Sequence, residues 1–306
     1  MALDIGKIEG LGRFSQEYRV PWIYPGLLEY GGMNMIFGVS RAQKSMLASY
    51  LMGCALLGKP AFGQIEVEHR PQKALLIYGE GRLEAEIARL LRVTASLGCS
   101  KADLDPHILT VGKNSGMMLS NPQDGNVLLQ YLNAHHVDLV YFDSLMNFNT
   151  YDENDNSLMA SVGRALGKLL ELHPERSALV VHHIGKGSGE GRTVGQHARG
   201  ASSLPAVMDC NLMLDKKASG HVLHTEDKYH GGQDKFFLRW DPATWLWSLR
   251  EEEDGETEAA ERMVALHTEH PEYSATALAK LSGIRQATAF PLAKRIVGNR
   301  PVPVPP

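Results

Sequence analysis

Residues 38–45 read "GVSRAQKS", with Gly38, Lys44 and Ser45 at the spacing of the phosphate-binding pattern G-x-x-x-x-G-K-[ST] and Gln43 where the second glycine is usual. In such a loop main-chain N–H groups surround phosphate oxygens at a helix N-terminus. The candidate nucleotide contacts are therefore Gly38, Val39, Ser40, Arg41, Ala42, Gln43, Lys44, Ser45 and Met46. Lys44 would reach the β- and γ-phosphates of ATP, and the Ser45 hydroxyl would hold Mg²⁺. Because the cradle uses main-chain donors, Gln43 is tolerated if its backbone stays near helical φ/ψ. It defeats the loop only if that position needs positive φ. The alternative is an ordinary turn between a strand and a helix.

Two carboxylates decide between these readings. "VDLVYFD" is an apolar run ending in Asp143, suited to share the Mg²⁺ with Ser45, and "LLIYGEG" ends a second run with Glu80, free to orient an attacking water. Either alone could be a turn residue or a helix cap. Both, in this order after the loop, mark an ATP site. A third run, "SALVVHH", ends in His182 and His183. Without further ligands this pair has no zinc spacing, and its alternative is a pair of satisfied polar groups at a strand end.

The elements that must position these residues alternate from about residue 33 to 215. "MNMIF" precedes the loop, and Met46, Leu47, Tyr50, Leu51, Cys54 and Leu57 recur behind it at helical spacing. The strand-like runs "KALLIY", "HILTV", "VDLVYF" and "SALVVHH" then alternate with amphipathic helical patterns. Apolar strands between such helices predict an α/β fold with a mainly parallel sheet covered on both faces. Beyond "VMDCNLML", the runs "HVLHTED", "KFFLRW" and "TWLWSL" predict antiparallel strands at the sheet edge.

The chain has 306 residues, 43% hydrophobic and 22% charged, ordinary values for a globular protein. No apolar run approaches the roughly 20 residues of a membrane span, and "MALDIGKIEG" lacks the layout of a secretion signal. Cys54, Cys99 and Cys210 are widely separated, which suits a reducing compartment, and the cytoplasm is the expected location. Residues 251–261 carry seven acidic side chains and no basic one, whereas Arg262 to Arg300 hold six basic and two acidic. This predicts an ATPase domain over 1–250, an acidic linker over 251–261 and a small module over 262–306 ending in a proline-rich tail. The module reads as three short helices, with Ser274 as an N-cap and Gly283 at a turn. That spacing resembles a helix-turn-helix presenting Arg285, Gln286, Thr288, Lys294 and Arg295 to nucleic acid. Pro291 within the last helix weighs against it, and protein docking is the alternative.

A catalytic glutamate on the strand after the loop's helix is the RecA/DnaB arrangement. The stretches "SLMNFNTYDENDNSLMASVGRALGKLL", "SALVVHHIGKG" and "HARGASSLPAVMDCNLML", with the opening "VPWIYPGLLEYGGMNMIFG", resemble the RepA-like hexameric helicases of plasmids and phages over roughly residues 20–250. The resemblance implies a RecA-like P-loop core in which Lys44 and Ser45 bind phosphates and Mg²⁺, Glu80 is the base, and Asp143 is the Walker B carboxylate. It implies a γ-phosphate sensor at His183 and an arginine finger at Arg199, reaching the ATP of a neighbouring subunit. It aligns Lys228 in "EDKYHGG" with a further basic nucleotide contact, although Tyr229 and His230 stand where a second basic residue is expected. "DENDN" at 152–156 belongs to the same pattern, with a helix-capping loop as its alternative.

Residues 185–197, "GKGSGEGRTVGQH", are glycine-rich and carry Lys186, Arg192 and His197. In RecA-type rings the equivalent loop grips single-stranded DNA in the central pore. Without a stacking aromatic the grip would depend on phosphate contacts, and a mobile surface loop is the alternative. The expected protein is a ring-forming homo-oligomer, a hexamer, that moves on single-stranded DNA without a membrane partner. The rival readings are a filament-forming recombination mediator and a slow nucleotide-dependent regulator.

Overall fold

The computed structural model describes residues 18–148, 156–171, 173–183, 204–217, 220–229, 233–251, 263–282, 293–294 and 296–297. The first elements are β1 (Trp22–Tyr24), β2 (Leu28–Glu29), β3 (Met33–Gly38), α1 (Lys44–Leu57), β4 (Ala74–Tyr78) and α2 (Leu83–Ser96). After them come α3 (Lys101–Leu104), β5 (Ile108–Val111), α4 (Pro122–Ala134), β6 (Leu139–Asp143), α5 (Asn156–Leu170) and β7 (Ser177–His183). The last strands are β8 (Cys210–Lys217), β9 (Gly220–Asp227), β10 (Gln233–Trp240) and β11 (Trp247–Leu249). Each expected strand and helix of the α/β region is present. The β1–β2 hairpin was not expected, because strands this short carry no readable period.

Nine strands form one sheet in the order β11-β10-β9-β8-β3-β7-β6-β4-β5. From β8 to β5 the neighbours run parallel, and β9, β10 and β11 extend the edge antiparallel. This is the expected RecA-like core. Side chains alternate along each central strand. Ile36, Leu76, Tyr141 and Val181 share one cluster with α1 and α2, while Phe37, Ile77, Phe142 and Val180 share the other with α4 and α5. Covering both faces is why these strands read as unbroken apolar runs. Helix α1 buries every residue from Leu47 to Leu56, more than its amphipathic pattern predicted, because it lies in one cluster with sheet, hairpin and α2 side chains.

From β3 the chain crosses to β4, two strands beyond its neighbour β7, and later returns to fill β6 and β7. The C-terminal ends of β3, β7, β6 and β4 are thereby placed side by side, the edge where open α/β sheets bind ligands. Met263, Leu278, Ala279 and Ala293 form a separate small apolar cluster. Ser274 caps the helix Ala275–Leu281, accepting from Ala277 N at 3.3 Å, as its position in the sequence predicts. Among the described residues no helix is long and apolar enough to cross a membrane.

Candidate active site

The loop leaves β3 at Gly38, whose φ is 154° and where a Cβ would lie 2.4 Å from the Leu214 carbonyl oxygen. Only glycine lets β8 approach so closely. The backbone expected for Gln43 is not the one observed. Gln43 is left-handed, φ 68° and ψ 28°, the conformation the missing glycine would adopt, and Arg41 has φ 65°. A non-glycine residue adopts this region at a cost of roughly 1–2 kcal/mol. The loop still closes, and Lys44 returns beneath it. Gln43 gives no side-chain cap to α1, and no acidic residue occupies the first turn. The positive end of α1 is left for an anion.

Lys44 is buried, and its Nζ donates to the carbonyl oxygens of Gly38 at 3.0 Å and Val39 at 2.9 Å and to His183 Nδ1 at 3.1 Å. An ammonium only donates, so His183 accepts at Nδ1 and carries its proton at Nε2, 3.5 Å from Glu80 Oε1. Burial pulls the Lys44 pKa down to about 8, against the opposing pull of Asp143 and Glu80.

Ser45 Oγ donates to Asp143 Oδ1 at 3.2 Å, and the fully buried Tyr141 hydroxyl donates to Asp143 Oδ2 at 2.9 Å. Burial raises the Asp143 pKa even though both hydroxyls favour its charged form. Strand register places Tyr78 beside Asp143 and Gly38 beside His183, so Glu80, two residues past Tyr78, emerges at the same edge. Burial works against the Glu80 carboxylate, but hydrogen bonds from Ser144 and Asn147 and the nearby His183 and Lys44 outweigh it and lower its pKa. His182 is buried and held neutral, its pKa lowered to about 4 by burial, then by His183 and Lys44.

Lys44, Ser45, Glu80, Asp143 and His183 thus converge. Lys228 does not join them. Its Nζ lies 3.5 Å from Asp209 Oδ1, and Asp209 Oδ2 accepts from the Met33 N–H at the start of β3. The loop leaves the other end of β3, about 16 Å away at strand rise. Register explains this position, since β9 runs antiparallel to β8 and ends opposite Cys210. Arg199, Lys186, Arg192 and His197 lie outside the described residues, as does most of the 152–156 stretch.

Tyr141, Ser144 and Asn147 were not singled out in the sequence. A further pair, Glu86 and Arg89 on α2, forms an ion pair beside Asp143: Arg89 favours the charged form of Asp143, and Asp143 disfavours that of Glu86. One turn of spacing within a helix was its only sequence signal.

The sequence pattern of the AAA domain family matches residues 11–189, more than half of the chain. The match includes the loop, Glu80, Asp143 and His183 and ends before Arg199. No curated protein matches the chain.

Proposed function

The chain belongs to the AAA domain family of P-loop ATPases, and from that premise we propose a ring-forming motor that hydrolyses ATP and moves along single-stranded DNA, a RepA-like helicase. One observation carries the catalytic part: Lys44, Ser45, Glu80, Asp143 and His183 converge beside an uncapped helix N-terminus.

The donor set fits Mg²⁺. Ser45 and Asp143 offer two hard oxygens. Mg²⁺ needs only one or two protein oxygens besides phosphate and water. When bound, it neutralises charge developing on the phosphates. The loop N–H groups and Lys44 hold the β- and γ-phosphates. Glu80, ionised because its pKa is lowered, takes a proton from water as the water oxygen bonds to the γ-phosphorus. The bond from that phosphorus to the bridging oxygen breaks, and ADP leaves with the electron pair. The DNA grip by residues 185–197 and the finger at Arg199 rest on the resemblance.

The test is ATP turnover with and without single-stranded DNA, beside particle images of the ATP-bound assembly. Glu80→Gln should bind Mg-ATP and lose turnover, and Lys44→Ala should weaken binding itself. Absence of Mg-ATP binding by the unmodified protein sinks the reading. The left-handed Gln43 favours one rival, a slow nucleotide-dependent regulator, which predicts binding without DNA-stimulated hydrolysis.

A further inference from the structure

We propose that Ser144 and Asn147 are positioning residues that clamp one oxygen of the Glu80 carboxylate and leave the other to face the reacting water. This rests on the reading of Glu80 as the base. Ser144 Oγ donates to Glu80 Oε1 at 2.6 Å, and Asn147 Nδ2 donates to the same oxygen at 3.1 Å. Asn147 Nδ2 also donates to Ser144 Oγ at 3.0 Å, and His183 Nε2 approaches Oε1 at 3.5 Å. The contacts from Ser144, Asn147 and His183 to Glu80 all meet Oε1. Oε2 has no partner among the described residues.

The clamp is anchored on both sides. Ser144 is fully buried and follows Asp143 directly, so the end of β6 fixes its hydroxyl. Asn147 stands on the single turn Leu145–Phe148, whose buried Leu145 and Phe148 belong to the core cluster of α4 and α5. Gly79 accepts that turn at close range. A Cβ on it would lie 2.5 Å from Asn147 Cβ and 2.9 Å from the Phe148 ring. The Gly79 N–H donates to the Asp143 carbonyl at 2.7 Å. The exits of β4 and β6 are thus tied together, and Glu80 is left only its side-chain torsions. About half exposed, it would otherwise sample several rotamers, of which few aim a lone pair at the water. Hydrogen bonds to an ionised acceptor are strong and directional enough to select one. Serine and asparagine suit the task because both are short donors that add no charge beside Asp143.

The experiment measures Mg-ATP affinity and single-turnover hydrolysis for Ser144→Ala, Ser144→Thr, Asn147→Leu, Glu80→Gln and the double variant Ser144→Ala/Glu80→Gln. Ser144→Ala and Asn147→Leu should bind as the unmodified protein does and hydrolyse about tenfold to hundredfold more slowly, the effect of one lost hydrogen bond to a charged group. Ser144→Thr should recover most of the rate. In the double variant Ser144→Ala should add no further loss to Glu80→Gln, because the carboxylate it orients is gone. Asn147 is exposed, so its variant bears on the clamp even where Ser144→Ala disturbs folding. Unaltered hydrolysis by Ser144→Ala and Asn147→Leu, with Glu80→Gln inactive, overturns the clamp and spares the base. Equal losses from Ser144→Ala with and without Glu80 also overturn it, as a merely structural role. Normal turnover by Glu80→Gln removes the base reading and the clamp with it.

Discussion

Replacing Gln43 by glycine should stabilise the protein, and replacing it by alanine should do so less. Two features of Gln43 are unfavourable. Its left-handed backbone costs roughly 1–2 kcal/mol for a residue with a Cβ. Its buried Oε1 has no hydrogen-bond partner, which costs roughly 1–3 kcal/mol. Gln43→Gly removes both, against about 1 kcal/mol for the freedom glycine gives the unfolded chain. The net gain is about 2 kcal/mol, or about 5 °C in Tm for a domain of this size. Gln43→Ala deletes the carbonyl and keeps the Cβ, so it isolates the backbone contribution. Glycine should lead alanine by at most about 1 kcal/mol here, whereas in helical backbone alanine leads by about 1 kcal/mol. Denaturant unfolding of both variants beside the unmodified protein measures the difference. An alanine variant more stable than the glycine variant would refute the left-handed Gln43.

Glu29 is buried, and burial, then Asp209 and Asp227, raise its pKa to about 7. A carboxyl that holds its proton more tightly when folded adds stability below its unfolded pKa, and that stability is lost as pH rises towards 7. The loss is about 3 kcal/mol at most. Glu29→Gln should flatten the decline in an unfolding series from pH 4.5 to 8, and an unchanged slope would place the titration elsewhere. Tyr141→Phe removes the donor to Asp143 Oδ2 and should cost about 1–3 kcal/mol, while raising the Mg²⁺ concentration needed for half-maximal hydrolysis. A Mg²⁺ dependence equal to that of the unmodified protein counts against Asp143 as the metal carboxylate. Arg199→Ala should bind ATP and be inactive alone, with a finger worth about 10³–10⁵ in turnover. Mixing it with Glu80→Gln should restore some activity, and co-assembled mixtures that stay inactive would exclude a finger supplied between subunits.

The sequence by itself determined the local features. "MNMIF" before the loop and the alternation of apolar runs with amphipathic helices give the parallel sheet, because strand and helix periods are short-range properties of the chain. Lys44, Ser45, Glu80 and Asp143 were legible because each lies at or just beyond the end of a strand, and parallel strands deliver their ends to one edge. Tertiary structure decided what depends on register and approach. In sequence Ser144 and Asn147 are ordinary turn residues. They meet Glu80 only because β4 pairs with β6, placing Tyr78 opposite Asp143. His183 joins Lys44 to Glu80 because β7 lies beside β3. Lys228 lies at the far end of the sheet from the loop because β9 returns antiparallel. The φ of Gln43 is fixed by the path of a loop whose first glycine is pressed against β8, a distance that no local pattern of residues encodes.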